Sequence, residues 1–416
     1  MLIKKRVISY LRRIYYCFLR LKYFLSHLLI LWDVRKNNSV NICFIISSLP
    51  MWRLQSFYDR IIKDSRYNVY IILLPFDTFS GKQQQSCIAE LRRYFDTRSI
   101  SYIDASVEEI SEHRWKVINP QIIFYQQMYS NIYHGCCSIS NNLGKLLCYL
   151  PYGIITIKGD RIYNNKYTNL AWRLFYPTEL HADYARSHSY NHARNVRIVG
   201  EPDAILFSNE SGHHVNDKIK RVIWAPHYSI AGESFIKRTS FLWMAHLMLE
   251  LAKDYIGRIT FILKPHPRLV STLYSLPEWG KQKTDAYFAK WTNQDNLQIE
   301  TGQYIDLFKS SDAMIHDCGS FTAEYLFTAN PVMFISSDFD SVYNELDYFG
   351  AKCMDLHYHG SSKDDIVNFL ETVVLKDKDP LKEDRLLFRD TTLLQNGNNS
   401  VADAIYSSMT RDLFKH

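Results

Sequence analysis

Leu263-Lys-Pro-His-Pro-Arg-Leu269, directly behind the strand-forming run Arg258-Ile-Thr-Phe-Ile-Leu263, is the stretch whose reading decides the fold. The run is β-branched and aromatic, which suits a strand buried on both faces of a sheet. Pro265 and Pro267 offer no N–H to a ladder, so the strand stops and the chain turns outward. Lys264, His266 and Arg268 are thereby left at the carboxyl end of a parallel strand, where open α/β sheets collect ligands. Three cationic or potentially cationic groups on one turn suit an anion.

Working outward, the same pattern repeats along the chain. Val40–Ser47, Val69–Pro75, Ser101–Asp104 and Pro120–Tyr125 read as short apolar strands with helical stretches between them. A second series starts at Arg221–Ala225 and continues through a long helix, about Phe241–Tyr255, the strand ending in the quoted turn, Asn296–Glu300, Ala313–His316 and Pro331–Ile335. Strands alternating with helices predict parallel, doubly wound sheets. The expectation is an α/β protein of two Rossmann-like domains facing a cleft: residues 37–207, a polar linker at 208–218, residues 219–395, and a C-terminal helix at 396–416.

Composition limits the function classes. In a chain of 416 residues, 47% apolar and 14% aromatic content excludes a mainly disordered protein. Eight cysteines, at 17, 43, 87, 136, 137, 148, 318 and 353, form no C-x-x-C pair, so neither a disulfide framework nor a zinc cage is predicted, and a reducing cytosol is the matching compartment. The first 32 residues hold no acid but carry Lys4, Lys5, Arg6, Arg12, Arg13, Arg20 and Lys22. Residues 1–36 therefore read as a basic amphipathic helix lying on an anionic membrane surface, peripheral and on the cytoplasmic face. The apolar run Tyr23–Trp32 is far short of the ~20 residues of a spanning helix. A helix packed on the protein's own core is the rival reading, and the apolar opposite face argues against a nucleic-acid arm.

Three further stretches hold candidate chemistry. Val199-Gly-Glu-Pro-Asp203 is a turn expected between the domains. Trp224-Ala-Pro-His-Tyr-Ser229 is a second strand ending at proline with a histidine beyond it. Ile315-His-Asp-Cys-Gly-Ser-Phe-Thr-Ala-Glu324 is a strand, a small-residue turn and a helix starting near Ser320. A helix start offers free amides to phosphate. Glu324 suits ribose hydroxyls or a cap, and Asp317 suits an N-cap or the orientation of a histidine. Asp338-Phe-Asp340 imitates a D-x-D metal pair, but such spacing is common by chance.

The ordered set VGEPDAIL (199–206), IWAPHYS (223–229), LKPHPRL (263–269), DLFKSSDAMIHDCGSFTAEYL (306–326) and NPVMFI (330–335) resembles the CDP-glycerol glycerophosphotransferase family of teichoic-acid and capsule biosynthesis, over about residues 120–410. The resemblance implies a GT-B fold and peripheral membrane attachment. It also implies transfer of glycerol phosphate or ribitol phosphate from a CDP-activated donor to a membrane-linked glycan, without metal or cofactor. It places donor-phosphate binding and catalysis on His266 and Arg268. Donor binding extends to Lys264, Asp317, Gly319, Ser320, Phe321 and Glu324, and the interdomain turn falls on Gly200, Pro202 and Asp203.

One departure stands out. Where the family carries a W-H-G-T histidine, this chain has Leu150-Pro-Tyr-Gly153, so Tyr152 and Gly153 occupy the acceptor side and His134 or His227 is left to supply the base. The departure keeps open a nucleotide-sugar-dependent glycosyltransferase of a capsule or O-antigen pathway. It leaves room, too, for a non-catalytic membrane-associated scaffold.

Overall fold

The computed structural model describes residues 2–76, 81–129, 132–202, 204–208, 218–230, 239–302, 304–394 and 400–414. The expected linker lies almost wholly outside these, at 209–217, as does Asp203 of the interdomain turn. The chain divides into two compact units, one formed by Met1–Ile154, Lys158–Asp203 and Gln395–His416, the other by Ile155–Ile157 and Ala204–Leu394.

In the first unit the β-branched and aromatic runs form β1 (Val40–Ile46), β2 (Tyr67–Leu73), β3 (Ile103–Asp104), β4 (Ile122–Tyr125), β5 (Leu146–Tyr149), β6 (Arg173–Tyr176) and β7 (Val196–Ile198). All pairings are parallel, and the sheet order is β3-β2-β1-β4-β5-β6-β7. In the second unit β8 (Lys220–Ala225), β9 (Ile259–Leu263), β10 (Leu297–Ile299), β11 (Ala313–His316), β12 (Val332–Ile335) and β13 (Tyr358–Gly360) form a parallel sheet of order β10-β9-β8-β11-β12-β13. Both are doubly wound α/β sheets. In each the order reverses beside the first strand, at β1/β4 and at β8/β11, and such reversals leave a crevice at the strands' carboxyl ends.

Each unit has its own aromatic core. Phe44 stacks on Phe124, which stacks on Phe175, in the first; Trp224 stacks on Phe241 in the second. The expected strands are all present. Sequence reading missed β5, β6, β7 and β13, each three or four residues long.

Two segments differ from expectation. The C-terminal helix Val401–Phe414 is no separate element: Ile405, Met409 and Leu413 are fully buried in the first unit's core, and Arg60–Asp403 and Arg173–Asp412 ion pairs hold its exposed side. The N-terminal helix runs unbroken over Leu2–Asn37. Its basic residues at positions 4–13 lie where side chains are outside the described set. Further along, Val34 is fully buried, and Ile30 and Leu31 pack on the same core. On another face Ile14, Phe18, Leu21, Leu25, Leu28 and Trp32 recur at spacings of four and three and stay 44–68% exposed. One face of this helix thus packs inward, while an apolar stripe remains outside. By length and composition alone Ile14–Asn37 could cross a bilayer.

Candidate functional site in the second unit

Pro226 ends β8, and the next residue, His227, sits beside the sheet's reversal point. Pro265 and Pro267 end β9 in the neighbouring row. The His266 N–H donates to the Pro226 carbonyl at 3.2 Å, tying the two turns together. The His227 and His266 rings lie 5.0 Å apart, and Tyr228 lies 4.4 Å from each. Arg268 places its guanidinium 4.3 Å over the Tyr228 ring and donates to the Tyr228 hydroxyl at 3.1 Å. Stacking of this kind fixes the plane of the guanidinium fork and leaves its other N–H groups for an anion.

The tautomers of the two histidines follow from their neighbours. His227 Nδ1 accepts the Ser229 N–H at 3.2 Å, and His266 Nδ1 accepts the Arg268 N–H at 3.1 Å. In the neutral ring the proton then sits on Nε2. Burial pulls the pKa of each down to about 4, helped at His227 by Arg268 and at His266 by His227 and Arg268. At neutral pH the pair are therefore uncharged Nε2–H donors. This corrects the expectation that His227 supplies a base, because the lone pair a base needs is already taken at Nδ1.

Lys264 does not join this group. Its side chain is buried, and Nζ donates to the Gly302 carbonyl at 2.7 Å, so it anchors the loop behind β10; burial lowers its pKa. The cationic trio expected from the sequence thus reduces to one exposed cation, Arg268, with two neutral donors.

Asp317 is corrected as well. It is fully buried and does not cap the helix that follows it. Oδ1 accepts the His227 N–H at 2.6 Å, while Oδ2 accepts the Thr239 hydroxyl at 3.0 Å and both the N–H and hydroxyl of Ser240 at 2.5 and 2.7 Å. Burial pushes its pKa up against the pull of these donors. The carboxylate thus ties the start of helix Phe241–Asp254 to the turn carrying His227, a positioning role. After it, Gly319 is buried and Ser320 exposed. The helix starts at Phe321 as expected but is a single α-turn, Phe321–Glu324, continued as a 3-10 turn over Tyr325–Thr328. So short a helix has only a small dipole. Phe321 packs on Tyr304 and Phe308, and Glu324 is half-buried.

The remaining candidates lie in the first unit. Gly200 adopts φ 86°, a left-handed conformation that favours glycine, and the buried Glu201 beside it pairs with Arg53. Pro202 is half-buried. His134 is exposed on the connection from β4 to β5, and Tyr152, 42% exposed, and Gly153 follow β5. Among the described residues no group of three or more His, Cys, Asp or Glu side chains is gathered closely enough to hold a metal.

Sequence reading missed Tyr228, Thr239 and Ser240. Tyr228 had a signal, since it stands inside the Pro-His-Tyr-Ser turn. Thr239 and Ser240 had none, being 78 and 77 residues from Asp317 along the chain.

A second histidine pair sits deeper. His316 and His357 pack edge to face at 5.3 Å, 0% and 4% exposed. Burial pulls His316 down to about 3 and His357 well down, with His316, Arg385 and His359 adding to the pressure on His357. Depressed histidines stabilise the fold fully above the unfolded-state value of ~6.5, and that stability is lost as pH falls toward the folded value. His316 alone sets an upper bound of about 3 kcal/mol lost between pH 7.5 and 4.5. Urea midpoints at the two pH values are expected to differ strongly in the wild type and less in His316→Gln; equal differences would remove His316 as the cause.

The sequence matches no protein family model and no curated protein. Solved structures do match. The UDP-GlcNAc 2-epimerase from Neisseria meningitidis bound to UDP-GlcNAc aligns at a TM-score of 0.55 and 12% identity, covering 90% of this chain and 100% of that one. The S. aureus MnaA-UDP structure aligns at 0.55 and 12%, covering 91% and 98%. The wall teichoic acid polymerase TagF, in a structure carrying CDPG, aligns at 0.55 and 12%, covering 97% and 98%. With two parallel doubly wound sheets of seven and six strands, the fold is GT-B.

Proposed function

We propose that the protein is a transferase that moves glycerol phosphate or ribitol phosphate from a CDP-activated donor to a membrane-linked glycan in surface-polysaccharide biosynthesis. The observation that carries this reading is the Arg268–Tyr228–His266–His227 cluster at the strand ends of a GT-B unit. A diphosphate is what one oriented guanidinium beside two neutral Nε2–H donors suits. The CDPG carried by one fold neighbour and the UDP-GlcNAc bound to another support a nucleotide-activated donor.

In this reading an acceptor hydroxyl attacks the β-phosphorus. A new P–O bond forms, the bond to the bridging oxygen breaks, and CMP leaves. Arg268 and the Nε2–H groups of His266 and His227 stabilise the charge that builds on the phosphoryl and leaving oxygens. The hydroxyl proton passes to solvent water. The donor brings its own nucleotide, so the reading invokes no cofactor.

A nucleotide-sugar transferase is the second reading. Its support is the stretch Leu150–Gly153, which lacks the histidine that glycerophosphotransferases carry. Thermal stabilisation by a ligand panel separates the two, since binding to the native state raises Tm by mass action. Cytidine ligands (CMP, CDP-glycerol, CDP-ribitol) are expected to raise Tm without added metal, and His266→Ala to abolish the shift. A shift with UDP- or GDP-sugars alone would transfer the reading to the second, and no shift with any would leave a scaffold.

We further propose that the stripe Ile14, Phe18, Leu21, Leu25, Leu28 and Trp32 seats the protein on the cytoplasmic face of an anionic membrane. The full chain is expected to co-sediment with vesicles containing phosphatidylglycerol, and Phe18→Glu/Leu25→Glu to stay in the supernatant. Equal sedimentation of both would exclude the stripe.

A further inference from the structure

The exposed apolar stripe of the N-terminal helix ends in charge. Arg35 follows Trp32 by three residues and Leu31 by four, so it stands at the border between that stripe and the face packed on the core. Its Nη2 donates to the Asp412 carbonyl at 3.1 Å and its Nε to the Leu413 carbonyl at 3.3 Å, which ties the helix to the last turn of Val401–Phe414. Lys36 lies 5.1 Å over the Trp32 ring, a second cation at the same end.

Three more guanidiniums meet at that turn. Arg173, at the start of β6, donates Nε to Asp412 Oδ2 at 3.0 Å. Arg197 of β7 places Nη2 3.9 Å from the same oxygen, and Arg411 places Nε 3.9 Å from Oδ1. Among the described residues Asp412 is the only carboxylate that pairs with any of the four arginines. Asp33, the acid on the facing turn of the N-terminal helix, accepts from the Asn37 and Gln121 amides instead. One carboxylate does not neutralise four guanidiniums, and the excess registers on Arg197, whose pKa is lowered by burial and by Arg173 and Arg411 against the pull of Asp412. Arg35 and Arg173 suffice to hold the helix end and its carboxylate. Arg197 and Arg411, 32% and 60% exposed, add repulsion that the fold alone does not call for.

We infer that this cluster binds the phosphate of an anionic phospholipid headgroup, with Arg197 and Arg411 as its ligands and Arg35 and Arg173 as their frame. Guanidinium forks meet phosphate oxygens in pairs, and an anion placed among them relieves the mutual repulsion. The source is a lipid because the cluster begins where the apolar stripe stops, so acyl chains and headgroup meet one continuous surface. The inference rests on the membrane seating proposed above and deepens it: the stripe supplies affinity for any bilayer, and the cluster supplies the preference for an anionic one.

The test sediments the full chain with vesicles of phosphatidylcholine alone and of phosphatidylcholine mixed with phosphatidylglycerol. Arg197→Gln/Arg411→Gln is expected to lower partition onto the mixed vesicles about ten-fold or more and to leave partition onto pure phosphatidylcholine unchanged. Arg411→Gln alone, at the more exposed position, is expected to show part of the loss and serves if the double variant does not fold. Arg114→Gln/Lys116→Gln removes two exposed cations from the same unit and is expected to change neither partition. Inorganic phosphate is expected to displace no more protein from the mixed vesicles than sodium chloride of equal ionic strength. Equal losses in the two double variants, or no loss at Arg197 and Arg411, would overturn the site, and displacement by inorganic phosphate would give it to a free anion and overturn the lipid. If the wild type binds both vesicles alike through the stripe, the seating stands and the headgroup site falls. If it binds neither, the seating itself falls and the site with it.

Discussion

Arg268→Ala is expected to lower turnover with a CDP-alditol donor by about 10²–10³-fold, the usual cost of removing one oriented group that meets transition-state charge. Among the described residues Arg268 is the one cation in the site cluster, held in plane by Tyr228 through a stack at 4.3 Å and a hydrogen bond at 3.1 Å. Arg268→Lys restores charge without the fork or the stack and is expected to recover only part of the loss. Substitution at His266 discriminates more finely. Nδ1 is occupied by the Arg268 N–H, so the ring acts through Nε2–H as a donor. A glutamine amide can replace a donor but not a base. His266→Gln is therefore expected to keep clearly more activity than His266→Ala, and the wild-type rate to show no ionisation of His266 between pH 6 and 8, its pKa lying near 4. Equal loss in both variants, or a rate that rises through a pKa near 6.5, would make His266 a base and overturn the donor assignment.

Asp317→Ala is expected to have the largest effect on stability, about 3–5 kcal/mol by urea unfolding. It removes an acceptor for four donors in a fully buried place. Asp317→Asn keeps one carbonyl oxygen and turns an amide donor toward other donors, so an intermediate loss is expected. The same network sets the direction of the His227 turn. Even where Asp317→Asn folds, nucleotide-induced stabilisation is therefore expected to weaken. An Asp317→Ala protein with wild-type urea midpoint would show the four hydrogen bonds to be worth nothing net, and the positioning role would go with them.

These two residues mark where sequence reading succeeds and where it stops. The places of Arg268 and His266 were legible because their constraint is local: a β-branched run, two prolines and the three polar residues that alternate with them are all within eleven positions, and the strand's end fixes where they emerge. Lys264 was misread from the same stretch, since its partner, the Gly302 carbonyl, comes from the loop behind β10, 38 residues on. The cap reading of Asp317 failed for a similar reason. Its residue type and place in front of a helix match a cap, yet the N–H groups that reach it come from 77 and 90 residues upstream. Nothing in the local spacing records them.

By itself, then, the sequence determined the strands long enough to show a buried run, their alternation with helices, hence the doubly wound α/β class, and the turns that end β8, β9 and β11. Periodicity and proline chemistry are properties of short windows, and short windows suffice for these. Only the tertiary structure decided the strand order that puts β8 beside both β9 and β11, the inward packing of the helix Val401–Phe414, and the tautomers of His227 and His266. It also decided the diversion of Lys264 and Asp317 to structural partners. Each of these depends on which distant donor or apolar surface comes within a few ångströms, and that is settled by burial of the whole chain, where every buried polar group must find a partner.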